Sequence, residues 1–362
     1  MKYFLIVGEA SGDLHASNLI KAIKAIDDEA KFQYWGGDLM AEQGGTLLKH
    51  YQELAFMGFW EVLINIFTIL RNFRQCQRDI IAFRPDVVIL VDYPGFNLRM
   101  ARFASKKNIK VFYYISPQVW AWKESRVHQI KKTVDKMFVI LPFEKEFYSR
   151  YNYDVDFIGH PLLDAIDGVQ ETETTPGNKR IAIVPGSRAQ EVSRMLPIML
   201  SVKPQYPNHE FVITGVSSIP EDIYQQYLSE QQGISIEYDN FDSVLKQAEA
   251  ALITSGTATL QAALLKVPLV VCYKASTFSY LIAKRLINTE FISLVNLIMG
   301  REIVAELIQG QCNRVSLKQE LDKLLQEKPR QAMLNEFYLL PEKLGEPGAS
   351  ARAAELMLGY LR

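Results

Sequence analysis

The sequence predicts an α/β protein built as two doubly wound, Rossmann-like domains facing each other across a cleft, and three observations carry that prediction. Short β-branched runs, apolar on both faces, alternate with helical patterns along the whole chain, as parallel strands covered by helices require. The 362 residues exceed what one core ordinarily organises. A polar, breaker-rich stretch without periodicity, Asp167 to Lys179, separates the runs into two sets. The expected division is therefore a first domain at 1–166, a linker at 167–179 and a second domain at 180–344. The helical tail at about 345–362 is expected to pack back on the first.

The chain opens with Met1-Lys-Tyr-Phe-Leu-Ile-Val-Gly8, whose apolar run is too short for a signal peptide and reads as a first strand, Tyr3–Val7. Gly8-Glu9-Ala10-Ser11-Gly12-Asp13 then turns into a helix that runs to about Ile26. Phe32–Trp35, Val87–Val91, Val111–Ile115, Met137–Leu141 and Val155–Ile158 are the further strands of the first domain. The second domain takes Arg180–Val184, Glu210–Thr214, Ile234–Tyr238, Ala251–Thr254 and Leu269–Tyr273. From Ser316 onward the pattern is helical. In open parallel sheets ligands sit beyond the carboxyl ends of the strands, so the loops at those ends are the places to look for chemistry.

Composition narrows the class. Hydrophobic residues make up 48 % and charged ones 22 %, which excludes general disorder. Cys76, Cys272 and Cys312 are scattered and odd in number, so a disulfide framework or structural zinc is not expected and a reducing, cytoplasmic compartment is. The formal charge of −1 hides an uneven distribution: Arg71 to Lys136 holds 14 Lys/Arg against 5 Asp/Glu, a local +9. Such a field either attracts a polyanion or is a solvated basic face.

Several strand-end loops have the composition of ligand sites. After Arg180–Val184 come Pro185, Gly186, Ser187 and Arg188 at a helix start, where free N–H groups beside a guanidinium make a seat for a diphosphate. Ser255, Gly256 and Thr257 repeat the strand-to-helix junction, and Gln261 on the following helix is placed to bond a ribose diol; a capped helix without a ligand fits the same residues. Glu9 and Asp13 repel a pyrophosphate but suit sugar hydroxyls, unless Asp13 merely caps a helix. Asp92, just past Val87–Val91, is placed as a general base whose pKa apolar walls would raise. His15 and His160 lie nearest the expected cleft. No GxGxxG, Walker loop, HExxH or GxSxG occurs, and Asp154-Val-Asp156 precedes its strand rather than following it. Neither a cofactor nor a metal is expected.

Between Phe56 and Phe73 the polar residues Glu61, Asn65, Thr68 and Asn72 form one narrow stripe on an otherwise apolar helix. It is too short and too interrupted to span a bilayer. Either it is buried all round, or Phe59, Trp60, Leu63 and Phe67 meet acyl chains at a membrane surface; the adjacent basic block favours the membrane.

The chain resembles the lipid-A-disaccharide synthase family over essentially its whole length. The motifs are Gly8-Glu-Ala-Ser-Gly-Asp-Leu-His15, Asp92-Tyr-Pro-Gly-Phe-Asn97, Ser116-Pro-Gln-Val-Trp-Ala-Trp122, Leu141-Pro-Phe-Glu144 and Phe157-Ile-Gly-His-Pro161. They continue as Ile183-Val-Pro-Gly-Ser-Arg188, Thr254-Ser-Gly-Thr257 and Ser293-Leu-Val-Asn-Leu297. The resemblance implies a GT-B fold and an inverting glycosyltransferase. That enzyme joins UDP-2,3-diacylglucosamine to 2,3-diacylglucosamine 1-phosphate (lipid X), giving lipid A disaccharide 1-phosphate and UDP. It also implies Asp92 as base and Arg188 as the essential arginine. The donor contacts would be Gly186, Ser187, Arg188, Ser255, Gly256, Thr257 and Gln261. The acceptor or cleft contacts would be Glu9, Ser11, Asp13, His15, Gln118, Trp120 and Asn296. The implied partners are the two acylated sugars and the anionic cytoplasmic face of the inner membrane, not nucleic acid, with a homodimer as the assembly. Two positions depart from the family pattern: Gly95 stands where an Asp is common, and Gln261 where a Glu is usual. A UDP-GlcNAc 2-epimerase shares the architecture but has no use for the apolar helix and basic block. A non-catalytic lipid- or nucleotide-binding module would bind without turnover.

Overall fold

The computed structural model describes residues 1–54, 66–166, 179–228, 232–276, 280 and 289–362. They form two compact units, Met1–Ala165 with Leu344–Arg362, and Ile166–Lys343. Phe59, Trp60 and Leu63 lie outside the described residues, as does the expected linker apart from Lys179.

The first unit runs β1 (Lys2–Ile6), α1 (Ala10–Lys24), β2 (Lys31–Gly36), α2 (Asp38–Glu42), β3 (Thr46–His50), α3 (Ile66–Phe83), β4 (Val87–Val91) and α4 (Pro94–Lys106). It continues with β5 (Lys110–Tyr114), α5 (Val119–Trp122), α6 (Val127–Thr133), β6 (Lys136–Val139), α7 (Pro142–Ser149), β7 (Asp156–Phe157) and α8 (Leu162–Ile166). Its seven strands are parallel in the order β3-β2-β1-β4-β5-β6-β7. Every residue of β4 is buried, which is why its sequence is five consecutive aliphatics.

The second unit runs β8 (Arg180–Val184), α9 (Ala189–Leu200), β9 (Glu210–Gly215), α10 (Asp222–Leu228), β10 (Ile234–Tyr238), α11 (Phe241–Lys246), β11 (Ala250–Thr254) and α12 (Thr257–Leu264). Then come β12 (Leu269–Tyr273), α13 (Leu294–Met299), β13 (Glu306–Ile308), α14 (Arg314–Leu324), α15 (Glu327–Phe337) and α16 (Leu340–Leu344), after which the chain returns to the first unit as α17 (Ala349–Leu361). Its six strands are parallel in the order β10-β9-β8-β11-β12-β13. In each sheet the winding reverses once, between β1 and β4 and between β8 and β11. Those two points are where loops diverge and leave room for a ligand.

The eleven runs read from the sequence are all strands, within a residue or two at their ends. The sequence reading missed β3 and β13, which are sheet edges. β3 is half-exposed and includes Lys49 and His50, and β13 is three residues long and starts at Glu306. An edge strand satisfies only one ladder and covers only part of a face, so it loses the apolar signature of a central strand.

Helix α17 belongs to the first unit. Ala353, Ala354, Met357 and Leu358 enter the same core as Leu19, Ile20 and Ile23 of α1. Burial of Met357 and Leu358 contributes roughly 1.5–3 kcal/mol each. Asp164 accepts from the N–H groups of Gly348 (2.5 Å) and Ala349 (3.3 Å), satisfying orphan donors at the start of α17. At its other end the Tyr360 hydroxyl donates to Asp156 at 3.1 and 3.0 Å, which gives one member of Asp154-Val-Asp156 a structural partner.

Candidate active site

In the first unit the winding reversal brings Glu9, which follows β1, beside Asp92, which follows β4. Gly8 makes the approach possible: a Cβ there would stand 2.3 Å from the Tyr93 ring. Asp92 (φ 43°) and Tyr93 (φ 46°) are both left-handed, and Ile115, past the end of the neighbouring β5, is left-handed at φ 65°. Left-handed backbone costs an L-residue roughly 1–2 kcal/mol, more for a β-branched one, so three such residues at adjacent strand ends mark a place the fold holds by force. The clamps are visible. Asn97 donates through Nδ2 to the carbonyls of Asp92 (2.8 Å), Val91 (3.0 Å) and Ile6 (3.3 Å), and the Tyr113 hydroxyl donates to the Asp92 carbonyl at 2.5 Å. The peptide is fixed and the Asp92 carboxyl is aimed by it.

The Asp92 pKa is raised from 3.8 to about 6, chiefly by desolvation and then by the nearby Glu9 charge, with the Tyr93 N–H partly offsetting both. A carboxylate tuned this way is ionised at neutral pH yet basic enough to take a hydroxyl proton.

The aromatic loop Ser116–Trp122 is anchored from beneath. Glu144, 1 % exposed, accepts from the N–H groups of Leu141 (2.9 Å) and Ile140 (3.2 Å) and from Trp120 Nε1 (3.2 Å). Burial pushes its carboxyl up to about 7, against the pull of those hydrogen bonds. Ser116 Oγ and Tyr148 Oη share a hydrogen bond of 2.8 Å. Trp120 is thereby a buried anchor set edge-on against Phe143, while Gln118 is exposed.

Other expected site residues are placed differently. Asp13 is buried, and its carboxylate accepts from the N–H groups of Gly37 (2.7 Å) and Leu39 (3.1 Å). It caps α2 rather than offering its oxygens to a sugar, because free N–H groups at that helix start would otherwise go unpaired. His15, half-buried, and His160, buried, sit close to one another. Their pKa values fall to about 4 and about 3, chiefly by desolvation, which Asp164 partly opposes at His15 and His15 reinforces at His160. Both are therefore neutral at pH 7. Ser11 is exposed on the first turn of α1.

In the second unit Gly186 is left-handed (φ 120°) and Arg188 is the N-cap of α9 in extended backbone. The Ser187 N–H donates to Glu191 Oε2 at 3.2 Å, and Arg188 Nη1 lies 3.0 Å from Glu191 Oε1. Across the winding reversal, Gly256 and Thr257 are exposed at the start of α12, with open space where a Gly256 Cβ would point. The Ser255 hydroxyl donates to the Ile292 carbonyl at 3.0 Å. Gln261 donates through Nε2 to Asp242 Oδ1 at 2.7 Å and, with Asp239, Asn240 and Phe241, lines an open pocket of about 380 Å³.

Asn296 belongs to this second unit and is fully buried. Its Nδ2 donates to Val304 O and Glu306 Oε1, both at 2.9 Å, and its Oδ1 accepts from Ile303 N (2.7 Å) and Val304 N (3.0 Å). Glu306 in turn accepts from Ile292 N (2.8 Å) and Ser293 N (2.9 Å). Asn296 and Glu306 thus tie the segment bonded to Ser255 to the edge strand. Glu306, Asp242 and Glu191 were not legible as site residues, since each acts by bonding a neighbour that only the fold supplies. Asn97, Tyr113 and Glu144 lay within or beside recognised motifs without a chemistry of their own.

Helix α3 presents one exposed face. Phe67 is 83 % exposed, with Leu70 and Ile81 also outward and Arg71, Arg74 and Arg78 between them, while Asn72 is buried. Burial all round is thereby excluded for its described turns. Among the described residues no helix is long and apolar enough to cross a membrane.

Two parallel α/β units, each with a sheet whose winding reverses once, define a protein of the GT-B fold class. Solved structures agree on the fold. A UDP-GlcNAc 2-epimerase from Neisseria meningitidis bound to UDP-GlcNAc superposes with a TM-score of 0.67 at 14 % identity, covering 99 % of this chain and 100 % of that one. The glycotransferase of kitacinnamycin does so with 0.67 at 14 % identity, covering 100 % and 99 %. At such identities these likenesses speak for the fold alone.

Sequence relatives go further. The lipid-A-disaccharide synthetase family model matches residues 3–354. Lipid-A-disaccharide synthase from Psychromonas ingrahamii is 39 % identical over 99 % of this chain and 97 % of its own length. That from Syntrophus aciditrophicus is 37 % identical, with the same 99 % and 97 % coverage. The chain belongs to the lipid-A-disaccharide synthase family, glycosyltransferases of lipid A biosynthesis.

Proposed function

We propose that this chain transfers the 2,3-diacylglucosamine of its UDP-linked donor to the 6-hydroxyl of 2,3-diacylglucosamine 1-phosphate, releasing UDP. The observation that carries the reading is Asp92: strained, clamped at its backbone, beside Glu9, and with its pKa raised to about 6. Asp92 takes the proton from the acceptor hydroxyl as that oxygen attacks the anomeric carbon. Displacement at an α-linked donor gives a β-linked disaccharide. Arg188 and the Ser187 N–H stabilise the charge that develops on the departing UDP, and only stabilisation greater than in the ground state raises the rate. Gln261, held by Asp242, faces a pocket suited to the ribose hydroxyls.

Both substrates carry acyl chains, so they must be met at a membrane surface. The outward face of α3, with Phe67 and Leu70 beside Arg71, Arg74 and Arg78, has the chemistry for peripheral attachment to an anionic cytoplasmic leaflet. UDP release measured with and without lipid X tests the assignment. Release that requires lipid X, with a disaccharide 1-phosphate of the summed acyl composition, is expected. Release indifferent to lipid X, or epimerisation at C2 of UDP-GlcNAc, would contradict it.

A further inference from the structure

We infer that Glu191 is a built-in occupant of the diphosphate seat, a carboxylate that the donor must displace and that takes the seat back when UDP leaves. The inference rests on Gly186–Arg188 being that seat. Its Oε2 accepts the Ser187 N–H at 3.2 Å, and its Oε1 lies 3.0 Å from Arg188 Nη1. A Cβ on Gly186 would stand 2.6 Å from Oε2, so the carboxylate rests against bare backbone that only glycine provides. The N–H, the guanidinium and the open glycine are the three features that would receive a phosphate oxygen, and a carboxylate already meets all three.

Ordinary helix capping does not account for this arrangement. In a reciprocal capping box the third helical residue bonds the N–H of the N-cap itself. Here the N-cap is Arg188, and Glu191 bonds the N–H of Ser187, one residue further out. The grip is also loose: the Arg188 and Glu191 side chains are 51 % and 34 % exposed, so their pairing is screened and readily exchanged. A diphosphate and a carboxylate cannot share one N–H and one guanidinium without repulsion, and Glu191 must rotate out as the donor enters. Its presence keeps Arg188 oriented in the empty enzyme and weakens UDP after transfer, which favours release.

Calorimetric titration of UDP into wild type, Glu191→Gln, Glu191→Ala and Arg188→Ala at fixed salt tests this. Both Glu191 variants should bind UDP about two- to five-fold tighter, the range an exposed ion pair allows, and UDP should inhibit their turnover correspondingly more strongly. Arg188→Ala should bind UDP more weakly. If the Glu191 variants bind UDP no tighter than wild type while Arg188→Ala binds it more weakly, the seat stands and the occupant is wrong. If Arg188→Ala binds UDP like wild type, the seat itself is wrong, and the inference falls with it. Glu191→Gln retains an oxygen for the Ser187 N–H, so it decides the matter should Glu191→Ala lose its fold.

Discussion

Replacing Asp92 by Asn should make the protein more stable and nearly inactive at the same time. The carboxyl is raised from 3.8 to about 6. A pKa difference of roughly two units, at 1.36 kcal/mol each, amounts to about 3 kcal/mol between folded and unfolded states. Its sign follows from proton binding. Between pH 4 and 6 the folded protein keeps a proton that the unfolded chain has released, so this contribution is complete below pH 3.8 and lost as pH rises through about 6. At pH 7 the native state therefore holds an ionised group it would be easier to unfold than to keep. Asn removes that charge, together with its repulsion toward Glu9. For a unit of this size, where 1 kcal/mol moves Tm by about 2–4 °C, the variant should melt roughly 6–12 °C higher at pH 7. Near pH 4 the two proteins should melt alike. Glu144, His15 and His160 also titrate with shifted pKa values, but they are common to both proteins and drop out of the difference. Melting curves from pH 4 to 8, read beside turnover lowered about 10²–10⁴-fold, make the assay. A Tm difference independent of pH, or a less stable variant at pH 7, would refute the reasoning.

Arg188→Ala should remove about 2–4 kcal/mol of transition-state stabilisation, lowering kcat more than it raises donor KM; a rise in KM alone would make Arg188 a ground-state anchor. Exhaustive chelation should leave turnover intact, because Arg188 and the Ser187 N–H take the leaving charge, and loss restored by Mg²⁺ or Mn²⁺ would show that they do not suffice. Binding to anionic vesicles should weaken steeply with salt, surface attraction being screened within about 8–10 Å. Replacing Trp60 and Phe67 by Ser should reduce that binding while leaving the fold intact, as expected of a Phe67 already 83 % exposed; vesicle binding that never occurs would return this face to ordinary surface.

Strands covered on both sides were plain in the sequence because Val87–Val91 and Ala250–Thr254 bury every residue, and burial on both faces dictates continuous apolar side chains. The edges β3 and β13 were not, since half of each strand answers to solvent. Asp92 was legible by position alone: a carboxylate beyond a buried strand. Its strain was not, because nothing in Asp92-Tyr93 announces a left-handed pair, and the Asn97 and Tyr113 bonds that hold it come from elsewhere in the fold. Asp13 and Asn296 have partners that the sequence does not announce, for a shared reason. A short polar side chain in a strand-end loop looks like a ligand contact, and only the folded chain reveals the backbone groups that claim it: Gly37 and Leu39 in one case, Ile303 and Val304 in the other.

The configuration of the new glycosidic bond tests the central account most directly. With a defined α-linked donor and lipid X, single displacement through Asp92 predicts a disaccharide 1-phosphate joined by a β-linkage to the acceptor 6-hydroxyl, read from the anomeric proton coupling of the isolated product. An α-linkage would mean two displacements and a covalent or ion-paired intermediate. That result would leave Asp92 without the role assigned to it.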